Sequence, residues 1–244
     1  MSSLKGKVAI VTGASRGIGR GIVERLARDG ASVVVNYAKN AEEANKVVSG
    51  IEAKGGKAVA VQADVSKVAD VRRLFQETEQ HFHRLDILVN NAGIFAYKPL
   101  ADMTEEEYDR IFAINAKGQF FAMQEAAKRM TEGGRIVNIS TGGTQLAFPG
   151  IAAYGGTKAA LELFTKVAAK ELGARKITVN TVSPGYTETD MLSDPGFRTM
   201  GVEASPLKRL GTPKDIADVV AFLASEEGGW ITGDNIQAGG GVVM

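Results

Sequence analysis

Short runs of consecutive apolar, mostly β-branched residues alternate with longer helical patterns along the chain. The runs at 8–11, 32–36, 58–62, 87–89, 135–139, 177–182 and 235–237 predict strands. Little polar alternation interrupts them, as befits strands covered on both faces. The segments between them, at about 17–29, 41–54, 67–82, 104–130, 152–173 and 213–225, predict helices. This alternation predicts βαβ units, a central parallel sheet and right-handed crossovers, that is, an α/β fold.

Local signals mark several helix ends. Thr104 precedes three glutamates, so a capping hydroxyl meets Glu107 at its third following position. Thr212, Pro213 and Asp215 offer a cap, a proline in the first turn and an acid. Asp29-Gly30 is expected to close the first helix and Gly55-Gly56 the second. No internal repeat, low-complexity tract or interdomain linker interrupts the pattern. The long irregular stretch at 185–211 predicts a functional segment, a lid at about 186–211.

With 244 residues, the chain is expected to form one domain over 1–244. It contains no Cys, which excludes a disulfide framework, Cys-ligated zinc, iron–sulfur clusters and thiol catalysis. Twenty-nine basic residues balance 28 acidic ones, so no basic excess points to nucleic acid. The apolar run nearest the start spans only 8–11, far short of a signal peptide, and no segment approaches a membrane span. A soluble, unexported, cytoplasmic protein is expected.

The stretch Thr12-Gly13-Ala14-Ser15-Arg16-Gly17-Ile18-Gly19 follows the first strand and opens the first helix. Small residues there permit a tight turn and bring backbone N–H groups close to a pyrophosphate, which then sits on the positive helix end. No Gly-Lys-Ser/Thr follows, so an ATP-type loop is excluded. Selection between NAD and NADP falls to the end of the second strand, Val35-Asn36-Tyr37-Ala38-Lys39. Asn36 brings no charge to repel a 2′-phosphate, and Arg16 and Lys39 can both reach one, so NADP(H) is favoured over NAD(H).

Tyr154 and Lys158 stand four residues apart on one face of the 152–173 helix. A free tyrosine titrates near about 10, too high for a ready proton shuttle, and a neighbouring ammonium is expected to lower it. Ser140 falls at the carboxyl end of the fifth strand, the edge where such sheets place ligands, and can hold a substrate carbonyl beside Tyr154.

These residues resemble the short-chain dehydrogenase/reductase family from about Lys5 to the carboxyl terminus. The ordered motifs are Thr12-Gly13-x-x-x-Gly17-Ile18-Gly19, Asp64-Val65, Asn90-Asn91-Ala92-Gly93, Asn115, Ser140, Tyr154-x-x-x-Lys158 and Pro184-Gly185. The resemblance implies a single-domain Rossmann fold with a seven-stranded parallel sheet in the order 3-2-1-4-5-6-7. It implies that Tyr154 is the general acid/base, that Ser140 orients the carbonyl, and that Lys158 bonds the nicotinamide ribose and depresses the Tyr154 pKa. Asn115 would hold a water relaying protons from Lys158. Asp64 would bond the adenine amino group while Val65 packs on its ring. Asn91, Ala92 and Gly93 would line the cofactor, and Pro184, Gly185 and Thr187, with Thr189, would fix its nicotinamide end. Ser15, Ile18 and Tyr37 complete the expected cofactor set. No metal is needed, and the two histidines, His81 and His83, are read as surface residues.

Among family members the chain looks most like 3-oxoacyl-carrier-protein reductases and broad ketone reductases. Arg129 and Arg175 fall near positions that grip an acidic carrier in the former, or are simply exposed. The Gly-Gln-x-Asn pattern of those enzymes is absent before Tyr154. Gly142 and Gly143 leave space near Ser140, and Phe95, Tyr97, Gln145, Leu146, Phe148, Tyr186, Met191 and Leu192 suggest an apolar or aromatic ketone pocket. The expected activity is an NADPH-dependent carbonyl reductase acting on a small-molecule ketone. The alternatives are an acyl-carrier reductase, a non-catalytic NADP-binding sensor or scaffold, and a methyltransferase on a similar sheet. The resemblance also implies a homotetramer formed through the 104–130 and 152–173 helices, with 239–244 in a second contact.

Overall fold

The computed structural model describes residues 4–243. The ends of the expected 1–244 domain, Met1 to Ser3 and Met244, lie outside the described residues, so the contact expected at 239–244 is only partly within them. The strands are β1 (Val8–Val11), β2 (Ser32–Tyr37), β3 (Lys57–Gln62), β4 (Ile87–Asn90), β5 (Arg135–Ile139), β6 (Thr178–Pro184) and β7 (Asn235–Ala238). Each pairs in parallel with its neighbours, giving one sheet in the order β3-β2-β1-β4-β5-β6-β7.

The absence of polar alternation has a direct cause. Successive strand residues point to opposite faces, and both faces are covered. Ala9 and Val11 of β1 face one core with Val33, Val35 and Val89, while Ile10 faces a second core with Val34 and Leu88. Helices α1 (Gly17–Arg28), α2 (Ala41–Glu52) and α9 (Pro213–Ala224) supply the first core through Ile22, Leu26, Val47, Ile216 and Val220. Helices α3 (Val68–Phe82), α5 (Gly118–Arg129) and α7 (Ala152–Leu172) supply the second through Leu74, Phe75, Met123 and Leu161. Each fully buried Leu, Ile or Phe contributes about 1.5–3 kcal/mol, so the two layers together dominate stability.

Both predicted caps form, each as a capping box. Thr104 Oγ1 accepts from the Glu107 N–H at 3.3 Å at the start of α4 (Glu105–Phe112), and Thr212 Oγ1 accepts from the Asp215 N–H at 3.3 Å at the start of α9. Asp29 and Gly30 close α1, with Gly30 at φ 105°. α2 ends earlier than expected, at Glu52, and Gly55 turns the chain three residues later at φ 80°.

Two expectations need correction. The single helix at 104–130 is broken into α4, a π turn at Ala113–Lys117 and α5. The Asn115 side chain is drawn out to the Ile94 main chain, and a Cβ at Gly118 would overlap the Val65 carbonyl, so the helix and the β3 loop meet too closely for a regular spiral. The 185–211 stretch is not irregular throughout. It carries a 3₁₀ turn at Asp190–Leu192 and helix α8 (Pro195–Ala204), capped by Asp194 with proline at its first position. A one-turn helix, α6 (Gly143–Leu146), also follows β5. The loops after β1, β3, β4, β5 and β6 therefore gather at the carboxyl edge of the sheet, beneath α8. Among the described residues no helix is long and apolar enough to cross a membrane.

Candidate active site

The glycine loop leaves the amino end of α1 open. Gly13 and Gly17 adopt φ 63° and 55°, the left-handed region that a side chain disfavours. A Cβ on Gly19 would overlap the Gly13 carbonyl and come within 2.5 Å of Asn91 Nδ2. No side chain caps α1 and its first turn carries no acid, so its free N–H groups face the cleft. This cradle fits a pyrophosphate. Thr12 Oγ1 accepts from the N–H groups of Asn91 and Ala92 at 2.9 and 3.0 Å, while Asn91 Nδ2 donates to the Thr12 carbonyl at 2.8 Å. The loop and the β4 turn are thus one unit.

Other expected cofactor residues are placed unevenly. Ser15 and Ile18 are half-buried in the loop, Ile18 packing on the first core. Arg16 is exposed, with Asp190 of the lid 3.6 Å from its guanidinium. Lys39 is exposed as well, and Tyr37 is half-buried. Asn36 departs from expectation. It is 1% exposed, its Oδ1 accepts from the Gly13 N–H at 3.1 Å, and its Nδ2 donates to the Val61 and Ala63 carbonyls at 3.2 and 3.1 Å. Its side chain shapes the loop and is not free to touch a ligand. Asp64 Oδ1 accepts from the N–H and hydroxyl of Ser66, and Val65 is buried beside it. Gly142 donates its N–H to the Pro184 carbonyl at 3.0 Å, Gly185 lies against Gly239, and Thr187 Oγ1 donates to the Gly185 carbonyl at 3.1 Å. Thr189 touches the space above Gly17.

The four expected catalytic residues converge at the carboxyl ends of β4 and β5. Lys158 is buried, and its Nζ donates to the Ile139 carbonyl at 2.7 Å. Burial pulls its pKa down to about 8, against a smaller upward pull from the Glu162 carboxylate. A Cβ on Gly93 would meet both this Nζ and Asn115 Oδ1, so glycine gives the ammonium its room. Asn115 accepts from the Ile94 N–H at 2.9 Å and donates to the Ile94 carbonyl at 2.8 Å. Its amide thus ties the Ile94 turn to the π segment.

Tyr154 also needs correction. Burial pushes its phenol above the ordinary value, and a hydrogen bond from Thr141 only partly offsets this. Burial dominates the phenol in place of the expected lowering, and the Lys158 ammonium donates to the Ile139 carbonyl. Ser140 is 4% exposed and donates to Glu162 Oε1 at 2.7 Å.

Around this centre stands an aromatic wall. Phe95 meets the Tyr154 ring edge-on at 5.0 Å between centroids, and Phe197 of α8 meets both Phe95 at 6.5 Å and Tyr97 at 5.4 Å. Tyr186 packs against Gly201 of α8, with its hydroxyl 3.4 Å from Met200 Sδ. Gly142 faces Val243 near the chain end, and Phe148 is half-buried. Gln145 and Met191 are exposed and do not join the wall. The sequence reading missed Thr141, Thr144, Glu162 and Phe197. Glu162 was detectable as the next i, i+4 step after Lys158, and Phe197 through the Asp194-Pro195 start of its helix.

The two arginines expected near a carrier protein are engaged elsewhere. Arg129 bridges Glu125 and Glu79, and Arg175 donates to the Ala127 and Met130 carbonyls, capping α5. His81 and His83 are exposed at the end of α3.

Known proteins resemble this chain over nearly its whole length. The family model described as Enoyl-(Acyl carrier protein) reductase matches residues 13–243. A short-chain dehydrogenase/reductase of Pestalotiopsis microspora is 48% identical, with 98% of this chain and 96% of that protein covered. A probable tetrahydroxynaphthalene reductase of Zymoseptoria tritici is 45% identical, with 100% and 97% covered. The crystal structure of the angucycline C-6 ketoreductase LanV with bound NADP superposes with a TM-score of 0.95 at 44% identity, covering 99% of this chain and 97% of that one.

Proposed function

The chain belongs to the short-chain dehydrogenase/reductase family, and from that premise we propose that it is an NADP(H)-dependent oxidoreductase that reduces a ketone to a secondary alcohol. One observation carries this reading: Ser140, Tyr154 and Lys158 converge beside an uncapped helix end whose glycine cradle fits a pyrophosphate. Arg16, exposed at the rim, suits a 2′-phosphate, with Lys39 behind it. LanV, whose structure holds NADP, supports the same cofactor here.

Bound NADPH supplies the hydride to the carbonyl carbon. Tyr154 gives its phenolic proton to the carbonyl oxygen as the new C–H bond forms. Its raised pKa keeps the phenol protonated near neutrality, which is the form that reduction consumes. Lys158 would hold the cofactor ribose. With its pKa near 8 it exchanges protons near neutrality far more readily than an ordinary lysine, which suits return of a proton to Tyr154. Ser140 orients the carbonyl, and Asn115 holds the Ile94 turn against the π segment that frames Lys158. Holding the reacting atoms within about 3–3.5 Å contributes several kcal/mol.

The aromatic wall of Phe95, Tyr97 and Phe197 favours an apolar or aromatic ketone, as the names of the tetrahydroxynaphthalene reductase and ketoreductase relatives suggest. The internal pairing of Arg129 and Arg175 weighs against an acyl-carrier substrate. Phe120, Leu163 and Val167 stand exposed on α5 and α7, which suits the homotetramer proposed for this chain. The absence of Cys suits a reducing cytoplasm. The test is NADPH consumption over a panel of aromatic, aliphatic and acetoacetyl-thioester ketones, run in parallel with NADH. Turnover of aromatic ketones with NADPH supports the reading, whereas cofactor binding without turnover of any carbonyl or alcohol overturns it.

A further inference from the structure

Glu162 lies one helical turn beyond Lys158 on α7, and its Oε1 receives two hydroxyls. Ser140 Oγ donates to it at 2.7 Å and Thr144 Oγ1 at 2.9 Å. Thr144 also lies 3.1 Å from the Thr141 carbonyl, so it has an alternative acceptor. Ser140 is 4% exposed and has little solvent with which to replace a lost partner.

A serine hydroxyl has one proton and two lone pairs. Here the proton is directed onto α7, away from Tyr154, whose hydrogen-bond partner is Thr141. Left without Glu162, the hydroxyl could rotate among staggered positions, and its oxygen would meet a substrate in several orientations. A carboxylate acceptor makes the bond roughly twice as strong as one between neutral groups, so one orientation prevails. The second donor matters as much. When the Ser140 proton turns to a ketone oxygen, a half-buried carboxylate with no other donor would be left unsatisfied, a cost that would oppose the turn. Thr144 removes that obstacle by remaining on Oε1.

Resting on the reductase reading above, we propose that Glu162 is a positioning residue that sets the Ser140 hydroxyl through its proton, with Thr144 as the donor that lets Ser140 release the carboxylate when a ketone oxygen arrives. Nothing in this requires Glu162 to touch the substrate. Glu162 also pulls on the Lys158 ammonium, an influence that would persist without the Ser140 hydroxyl, whereas its hold on the Ser140 proton would not.

A double-mutant cycle on kcat tests the route. Glu162→Gln keeps the side-chain volume but replaces the carboxylate with an amide. In the otherwise native protein we expect a loss of roughly tenfold in kcat, with the NADPH dissociation constant and the melting temperature unchanged. In a Ser140→Ala background, the same substitution is expected to cost far less. Equal losses in both backgrounds, or no loss with Ser140 present, overturn the inference. Thr144→Val is the second variant, should Glu162→Gln fold poorly. It is expected to lower kcat by about threefold with Ser140 present and not at all in the Ser140→Ala background. Losses that match in the two backgrounds overturn the role of Thr144 and of the carboxylate it shares. A Ser140→Ala protein that keeps native turnover overturns the role proposed for Ser140 itself, whereas additive losses with Ser140 essential overturn only that of Glu162.

Discussion

The Lys158 ammonium stands 2.7 Å from the carbonyl oxygen of Ile139, at the end of β5. Burial settles its charge behaviour, against a smaller upward pull from Glu162. The folded pKa of about 8 lies below the ordinary value of 10.5. The unfolded chain therefore holds the proton more tightly, so burying the ammonium costs stability at every pH below 8. The cost fades as pH rises from about 8 to 10.5 and corresponds to about 3 kcal/mol when full. Lys158→Met, similar in bulk, is predicted to raise the thermal midpoint at neutral pH by a few degrees while abolishing turnover. Calorimetry across the alkaline range checks this, because the advantage must shrink as pH approaches 10.5. A variant less stable at neutral pH contradicts it.

Among the described residues, the Arg16 guanidinium meets an exposed lid carboxylate, 3.6 Å away, a pairing worth little in water. It is therefore available to a 2′-phosphate. Arg16→Ala is predicted to weaken NADPH binding by roughly tenfold and to leave NADH binding unchanged. Fluorescence titration with both nucleotides measures the difference, and equal weakening of the two would count against a 2′-phosphate contact.

Helix α8 reaches the cleft through one ring. Phe197 contacts Tyr97 and Phe95 edge-on, and such pairs contribute about 0.5–1.5 kcal/mol each beyond simple burial. Phe197→Ala is predicted to raise KM for an aromatic ketone by roughly fivefold with little change in KM for NADPH. Steady-state kinetics on both substrates decides it; an unchanged ketone KM would remove α8 from the pocket.

Asp86 anchors the opposite edge of the sheet. Burial pushes its carboxyl up, but the Arg84 guanidinium, the Val8 N–H and the Thr131 hydroxyl together outweigh it, leaving the pKa below the ordinary 3.8. A depressed carboxylate stabilises the fold above the unfolded-state pKa and loses that contribution as pH falls through the folded value. Asp86→Asn is predicted to lower stability by about 1–3 kcal/mol at neutral pH, the gap closing in acid. Urea midpoints over a pH series provide the test, and a gap independent of pH contradicts the assignment.

The fold was legible wherever sequence neighbours determine it. Strands buried on both faces announce themselves as unbroken apolar runs, and Thr104 and Thr212 mark their helix starts with their own side chains. The π turn at 113–117 was not legible, because it arises where Asn115 meets Ile94 and Gly118 meets Val65, contacts formed only in the folded chain. The same holds for the site. Ser140, Tyr154 and Lys158 were visible from spacing, but the partners that govern them were not. Asn36 read as a cofactor contact, yet its amide is engaged by backbone groups of Gly13, Val61 and Ala63. Lys158 read as the source of an acidic phenol, yet a main-chain carbonyl claims it.

The central claim is that Tyr154 delivers the proton. The most direct measurement is single-turnover oxidation of bound NADPH by an accepted ketone, native protein against Tyr154→Phe, with NADPH affinity determined for each. The phenyl ring keeps the edge-on contact with Phe95 and removes only the hydroxyl. The account predicts a fall in the single-turnover rate of about a hundredfold or more with NADPH affinity preserved. A variant that reduces the ketone at the native rate would contradict it.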